Sequence, residues 1–197
     1  HTLDTVHRFL KLGLPEEIEA VKRDGPNEWI FPQASTIAFR FPARGSMPPV
    51  EITWYDGTEN KPPRPKELEA GRKVESCGKI IHSKDLVFKG GTHSATLRII
   101  PEAKMKDMVD SLPKDFGCNS DHSQNFMLAC KGEDPAMSPF EYAGPLSEII
   151  VLGDVALLHP GRTLLWDSKN MKITNDDAAD KSLFMRRLAP RDDMNWC

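Results

Sequence analysis

The sequence has neither a long apolar run nor an excess of charge of one sign. None of its apolar stretches approaches the roughly 20 residues that a membrane span needs. The formal net charge is -3 over 197 residues, which favours neither nucleic acid nor an anionic membrane as a partner. These absences indicate an ordinary globular chain, long enough to bury a core without disulfides or metals.

Cysteine is scarce and widely spaced. The chain has four cysteines, and none of them forms the closely paired C-x2-4-C spacing that is typical of a zinc site. Cys118, His122 and Cys130 are the one group close enough in sequence to consider as a metal site. We interpret the cysteines as free thiols instead. We therefore predict no bound metal and no disulfide framework, and the sequence gives no localisation.

Nucleotide-binding loops are missing as well. There is no G-x-G-x-x-G segment and no β-α-β-α alternation, so the sequence predicts no dinucleotide-binding domain. Gly90-Gly91 lacks the G-K-[ST] ending of a phosphate-binding loop. We expect this chain by itself to hold no cofactor.

The chain begins with a histidine that runs directly into an amphipathic segment. Apolar residues from Leu3 to Leu12 share one helical face, and Gly13 is a natural stop. Only His1 and Thr2 precede the first apolar position, so little chain is present to cap the first N–H groups of a helix. We interpret the chain as part of a longer protein, cut within a structural element.

Strand patterns dominate the first half, and helix signals dominate the second. Alternating apolar residues predict a hairpin of Ser35–Phe41 and Val50–Tyr55. The other predicted strands are Glu17–Arg23, Lys79–His82, Leu86–Phe88, Thr96–Ile100 and Thr163–Trp166. This order predicts the α+β class, with an open, mostly antiparallel β-sheet and helices packed on one face.

Capping residues mark the helices of the second half. Asp121 and Gly132 bracket a helix over His122–Lys131. A capping box at Ser138-Pro139-Phe140-Glu141 begins a long apolar helix that we expect to be buried and to end near Leu158, with Asp154 needing a buried partner. Asn175 is the predicted N-cap of a last helix, Asn175–Leu183.

Several short signatures, in this order, resemble the C-terminal domain of the Gfo/Idh/MocA (glucose–fructose oxidoreductase, inositol dehydrogenase) family, in its bacterial subgroup. They are His1–Asp4, Phe41–Gly45, Thr53–Gly57, Pro62–Pro65, Leu97–Glu102, Ala129–Gly132, Ser138–Leu146, Leu152–Leu157 and Leu165–Asp167. The resemblance implies that residues 1–13 are the remnant of the helix linking from a missing N-terminal Rossmann domain. Residues 14–197 would then form the substrate-binding and oligomerisation domain.

The resemblance also implies the chemistry, which is hydride transfer between NAD or NADP and a sugar or polyol hydroxyl. By motif, His1 matches the family's proton-moving histidine, and it is the one predicted catalytic residue. The aspartate four residues before that histidine, the E-K-P lysine and the glycine-rich cofactor loop are all absent here. NAD or NADP is therefore expected only in the intact parent, and a homo-oligomer is expected to form through the sheet face.

Other residues fit the binding of a small sugar or polyol. Trp54 and Asp56 end a strand, where an aromatic ring and a carboxylate suit sugar recognition, although a core Trp and a turn Asp would look the same. His93 lies in the loop after Gly90-Gly91, and Arg98 follows it as either a substrate contact or a surface ion pair.

Three functional interpretations remain open at this level. The chain is either the substrate domain of a sugar or polyol dehydrogenase, or the same domain of an NAD-dependent glycosidase or lyase that oxidises its sugar transiently. A non-enzymatic assembly module is the third. Net change in cofactor absorbance separates the first two, and sedimentation tests the third, because a sheet face without helices predicts a dimer.

Overall fold

A computed structural model describes residues 1–25, 31–93, 97–113 and 121–184. Its helices are α1 Asp4–Phe9, α2 Glu102–Met108, α3 His122–Lys131, α4 Phe140–Leu158 and α5 Asp177–Ser182. Its strands are β1 Glu17–Asp24, β2 Ala34–Phe41, β3 Val50–Asp56, β4 Lys79–His82, β5 Val87–Gly90, β6 Arg98–Ile100, β7 Thr163–Asp167 and β8 Lys172–Ile173. The predicted α+β class with open antiparallel sheets is confirmed.

The described chain divides into two compact units. Unit 1 contains residues 1–14 and 58–149, and unit 2 contains 15–57 and the chain from 150 onward. Each unit has its own antiparallel sheet, of three strands in unit 1 and five in unit 2. The sequence predicted one open sheet and the structure has two, because the strands between residues 79 and 100 pair with one another, whereas β7 pairs with β1.

The sheet of unit 2 has the order β3-β2-β1-β7-β8. The predicted hairpin is present, since Ile37 lies opposite Trp54 and Phe39 opposite Ile52. Alternation gives this sheet one apolar face, on which Ile18, Phe39 and Leu164 are all buried. The other face carries charged side chains, among them Glu19, Arg40 and Glu51, together with Ala38 and Leu165.

Helix α4 covers the apolar face of this sheet with its C-terminal part. A Cβ at Gly153 would lie 3.0 Å from Phe39 Cζ and 3.4 Å from Ile37 Cδ1, so the glycine permits a close approach of helix and strand. The predicted full burial of α4 is wrong, because only one stripe of it is buried. Val151 and Leu158 are exposed, and so is Asp154, so its carboxylate is not a buried charge.

Unit 1 builds its sheet in the order β4-β5-β6. A small core of Leu68, Val87 and Ile100 packs beside it, with Val74 and Ile80 against that core. Helix α3 begins and ends where the sequence predicted. The Asp121 side chain accepts a hydrogen bond from the Gln124 N–H, and Gly132 takes the left-handed conformation at the end.

Several predicted boundaries shift. Helix α1 ends at Phe9, before the predicted stop at Gly13, and Lys11 already has a positive φ of 47°. Helix α4 begins at Phe140, so Pro139 and not Ser138 supplies the first accepting carbonyl. The predicted start of a strand at Thr96 lies outside the described residues.

The last helix uses a different cap from the predicted one. The side chain of Asp176 accepts hydrogen bonds from the N–H groups of Ala178 and Ala179, and the helix begins at Asp177. Asn175 instead accepts from the Leu165 N–H at 2.8 Å and donates to the Thr163 carbonyl at 2.8 Å. Its side chain ties the β7–α5 connection to β7, which is why the prediction is wrong. Over the described residues, no helix is long and apolar enough to cross a membrane.

Candidate functional site

His1 and His93, two residues predicted independently to belong to a site, lie against each other in unit 1. Their ring centroids are 4.4 Å apart, and the ring planes differ by 28°. Both residues are exposed. Imidazole rings can both donate and accept hydrogen bonds, so a stacked and accessible pair is able to contact a polar ligand.

The loop that carries His93 holds its ring in place. Thr92 Oγ1 and His93 Nδ1 share a hydrogen bond of 2.6 Å. The other ring nitrogen, Nε2, takes no part in this bond. His93 also has a φ of 51°, a left-handed conformation that is uncommon outside glycine. Such conformations cluster at ligand sites, where the surrounding structure maintains them.

The first turn of α1 begins three residues after His1 and is bonded by a side chain from another element. Its N-cap residue Leu3 makes no side-chain capping hydrogen bond. Lys79, the first residue of β4, donates to Thr5 Oγ1 at 3.2 Å and to the Thr2 carbonyl at 3.4 Å. Burial lowers the pKa of Lys79, and the negative charge of Asp4 opposes that shift.

Tyr142, from the first turn of α4, binds the same helix. Its hydroxyl lies 2.6 Å from Asp4 Oδ1 and 2.9 Å from the Asp4 carbonyl, and donates to these acceptors. The Arg8 guanidinium sits 4.2 Å from the centre of the tyrosine ring, within the range of a cation–π contact. Burial, and after it the bond to Asp4, raises the pKa of Tyr142 to about 12.

His7 is the buried member of this cluster. Its Nε2 donates to the Gly13 carbonyl at 3.1 Å, so in the neutral ring Nδ1 carries no proton. Nδ1 is buried and has no hydrogen-bond partner within the described structure. Burial lowers the pKa of His7 despite the opposing effect of the Gly13 carbonyl, so the structure favours the neutral ring.

Comparison with protein-family models, curated proteins and solved structures finds no match for this chain. Membership of the Gfo/Idh/MocA family therefore stays a prediction that rests on the signatures in the sequence.

Trp54 and Asp56 belong to unit 2, where alternation along β3 places both on one face of an edge strand. Trp54 is half-buried opposite Ile37, on the apolar face of the sheet. Asp56 is exposed, and its carboxylate accepts from the Gly57 N–H at 2.9 Å. Gly57 has a φ of 107°, so Asp56 and Gly57 form the turn that ends the strand. The role of Trp54 and Asp56 in sugar binding stays a prediction.

Arg98 makes the ion pair that the sequence analysis left as its second interpretation. Its Nη2 lies 2.6 Å from Oε1 of Glu102, the first residue of α2. A pair this exposed contributes little to stability. The pairing also occupies the guanidinium, so a substrate contact at Arg98 would have to share it or displace Glu102.

The cysteine cluster is only partly described. Cys77 and Cys130 are exposed free thiols, and Cys118 lies outside the described residues. Within the part of the chain that the structure describes, no three His, Cys, Asp or Glu side chains gather as a metal ion would need.

Unit 2 also contains an open groove of about 420 Å³. None of the predicted site residues lines it, and most of its lining is apolar. The lining residues are Phe31, Val151, Asp154, Val155, Leu158, Ser182 and Leu183.

Sequence reasoning missed the residues that hold His1 and His93 in place. Thr92 precedes His93 directly, and a polar neighbour beside a predicted ligand is a signal that could have been used. Lys79 and Tyr142 lie 74 and 138 positions from their partners on α1, and no local pattern connects such distant residues. Tyr142 directly follows the capping box Ser138–Glu141, and that segment was interpreted only as the start of a helix.

Proposed function

We propose that this chain is the substrate-binding and oligomerisation domain of a Gfo/Idh/MocA-type oxidoreductase. The substrate is a sugar or polyol, and NAD or NADP belongs to a cofactor domain of the parent protein. On this proposal, His1 accepts the hydroxyl proton while the nicotinamide takes the hydride. Within unit 1 the proposed substrate contacts are His93 and Arg98, and Trp54 and Asp56 are separate candidate contacts within unit 2.

The observation that carries the proposal is the stacking of His1 on His93. The family resemblance points to His1 through its motif, whereas His93 was selected for its place in a glycine-flanked loop. Two separate arguments thus select residues 92 positions apart whose rings lie 4.4 Å apart. The contact of the loop histidine with the motif histidine supports the proposal, because a few convergent polar side chains can fix the orientation of a polar substrate.

The oligomerisation part of the proposal concerns the polar face of the five-stranded sheet. Arg40 lies there within 2.9 Å of Glu51 and 3.1 Å of Glu19, and it also pairs with Glu17. Leu165, opposite Glu17, leaves an apolar side chain partly exposed on the same face. Because Arg40 is already paired with glutamates of its own chain, a second copy of the chain could cover this face without supplying a carboxylate for Arg40.

Calorimetric titration of the 197-residue chain tests the proposal. We expect a polyol such as an inositol or a hexose to bind, and NADH and NADPH not to bind. A chain that binds a nicotinamide cofactor, or that binds none of a broad panel of sugars and polyols, contradicts the proposal. In a parent protein with a cofactor domain, a net change in nicotinamide absorbance on adding substrate separates the dehydrogenase from the glycosidase or lyase.

A further inference from the structure

The segment that joins His1 to α1 has little support of its own. Helix α1 is six residues long, and Leu3 at its N-cap makes no side-chain hydrogen bond. A helix end without a cap frays, because its first N–H groups have no partners. Yet His1, two residues before this end, has a definite ring orientation against His93.

Lys79 supplies the missing support from another element. Its Nζ is within hydrogen-bond distance of Thr2 on one side of Leu3 and of Thr5 on the other, at 3.4 and 3.2 Å. Thr2 is bonded covalently to His1, and Thr5 is a buried residue of the first turn. One ammonium group therefore connects the residue next to His1 to the body of the helix.

The contacts of Lys79 differ from those of an ordinary surface lysine. Its described hydrogen bonds go to a hydroxyl and a carbonyl, whereas Lys89 on the neighbouring strand pairs with Glu75 at 2.8 Å. A partly buried ammonium that is bonded to neutral oxygens costs desolvation free energy. We expect a protein to retain such an unfavourable contact where it holds a segment in place. Here the two contacts of Lys79 hold the segment that leads to His1.

We propose that Lys79 is a positioning residue for His1, and that it keeps the His1 ring stacked on His93 by bridging Thr2 and Thr5. The importance of this role for substrate rests on the proposed function, but the positioning itself is a property of the chain. Lys79 acts through the backbone of Thr2, and no contact of Lys79 with substrate is part of the proposal.

Proton NMR of the 197-residue chain measures the positioning through the nuclear Overhauser effect between the His1 and His93 ring protons. We expect Lys79→Met to lose this signal and Lys79→Arg to restore it, since a guanidinium still donates to both oxygens. Lys89→Met is the matched control, because it removes a lysine from the same sheet without touching α1, and we expect the signal to persist there. A Lys79→Met chain that is folded by circular dichroism and keeps the signal overturns the proposal.

Thr5→Val gives a second test in case Lys79→Met does not fold. It removes the hydroxyl acceptor while keeping the shape of the side chain, and we expect a weaker ring-to-ring signal. An unchanged signal in Thr5→Val overturns the bridge. Failure of the proposed function shows separately: if no sugar or polyol moves the His1 ring signals of the unmodified chain, His1 is not a substrate contact, whatever Lys79 does.

Discussion

At the scale of single residues, Tyr142 makes the contacts with the clearest energetic consequence. Its hydroxyl bonds to Asp4 at 2.6 and 2.9 Å, and one of the two acceptors is a carboxylate oxygen. Tyr142→Phe leaves that carboxylate without its donor. We expect the free energy of unfolding to fall by about 1–3 kcal/mol, measured by urea denaturation near neutral pH. An unchanged denaturation midpoint would show that water replaces the hydroxyl at no cost.

The same residue has a spectroscopic signature. The pKa of Tyr142 is raised to about 12, against an ordinary value of about 10 in an unfolded chain. Its contribution to stability is therefore complete below about pH 10 and is lost as the pH rises towards 12. We expect an ultraviolet phenolate titration to show a late step that Tyr142→Phe lacks, and Tyr55→Phe is the control that keeps it.

His7 makes stability depend on pH in the opposite direction. Its pKa is lowered by burial, so between the folded and the unfolded pKa the unfolded chain binds the additional proton. Stability from this residue is complete above the unfolded pKa of about 6.5 and decreases as the pH falls below it. We expect His7→Gln, which keeps a donor for the Gly13 carbonyl, to show a weaker loss of stability in acid than the unmodified chain. His122→Gln is the exposed control, and equal acid sensitivity in all three chains would rule out His7 as the cause.

At the scale of elements, the close packing of α4 on the sheet of unit 2 is testable at Gly153. A larger side chain there meets Phe39 at 3.0 Å. We expect Gly153→Leu to lower the free energy of unfolding by about 1–3 kcal/mol through overpacking. Ser147→Leu, at an exposed position of the same helix, is the matched control and is expected to be neutral or stabilising, because leucine favours helix more than serine does. Equal effects at both sites would contradict the packing described for Gly153.

The cap of helix α3 gives a second prediction at this scale. Asp121 accepts the Gln124 N–H at 3.0 Å. We expect Asp121→Ala to cost about 0.5–2 kcal/mol of stability in urea denaturation, and Asp121→Asn to cost much less, because asparagine caps about as well. A similar loss in both variants would mean that the charge matters and the cap does not.

Elements with strong local signals were the ones that the sequence predicted. Alternation identified β2 and β3, and the Asp121 and Gly132 caps bracketed α3. Helix α2 was missed because none of its residues is buried, so its sequence has no apolar stripe to detect. Strand β8 is two residues long, too short for any periodicity. The choice between Asn175 and Asp176 as cap depended on where the Asn175 side chain bonds, which is a tertiary property.

At the scale of the whole molecule, the proposed homo-oligomer depends on the polar sheet face around Arg40 and Leu165. Sedimentation of the unmodified chain is expected to show an assembly larger than the 22.1 kDa monomer. Leu165→Arg replaces the exposed apolar side chain of that face by a charged one, opposite Glu17, and is expected to shift the population to monomer. Met171→Arg, at another exposed apolar residue, is the control. A monomer at high concentration for the unmodified chain contradicts this part of the proposal.

Part of the candidate site could be predicted from the sequence. A motif identified His1, and a loop position identified His93, but their contact is a long-range property that neither pattern contains. Thr92, Lys79 and Tyr142 were not predicted, since what they do depends on partners that only folding brings near. The order of the signatures supports the proposed oxidoreductase family, whereas the geometry supports a site at His1.

If the His1–His93 pair binds a sugar or polyol, NMR of the imidazole signals during a polyol titration detects that binding at the two rings. We expect both rings to shift together with one dissociation constant, and His93→Ala to weaken binding while His122→Ala does not. Binding that leaves both rings unmoved would contradict the claim by locating the substrate elsewhere. Binding that is equally tight in His93→Ala would remove His93 from the site.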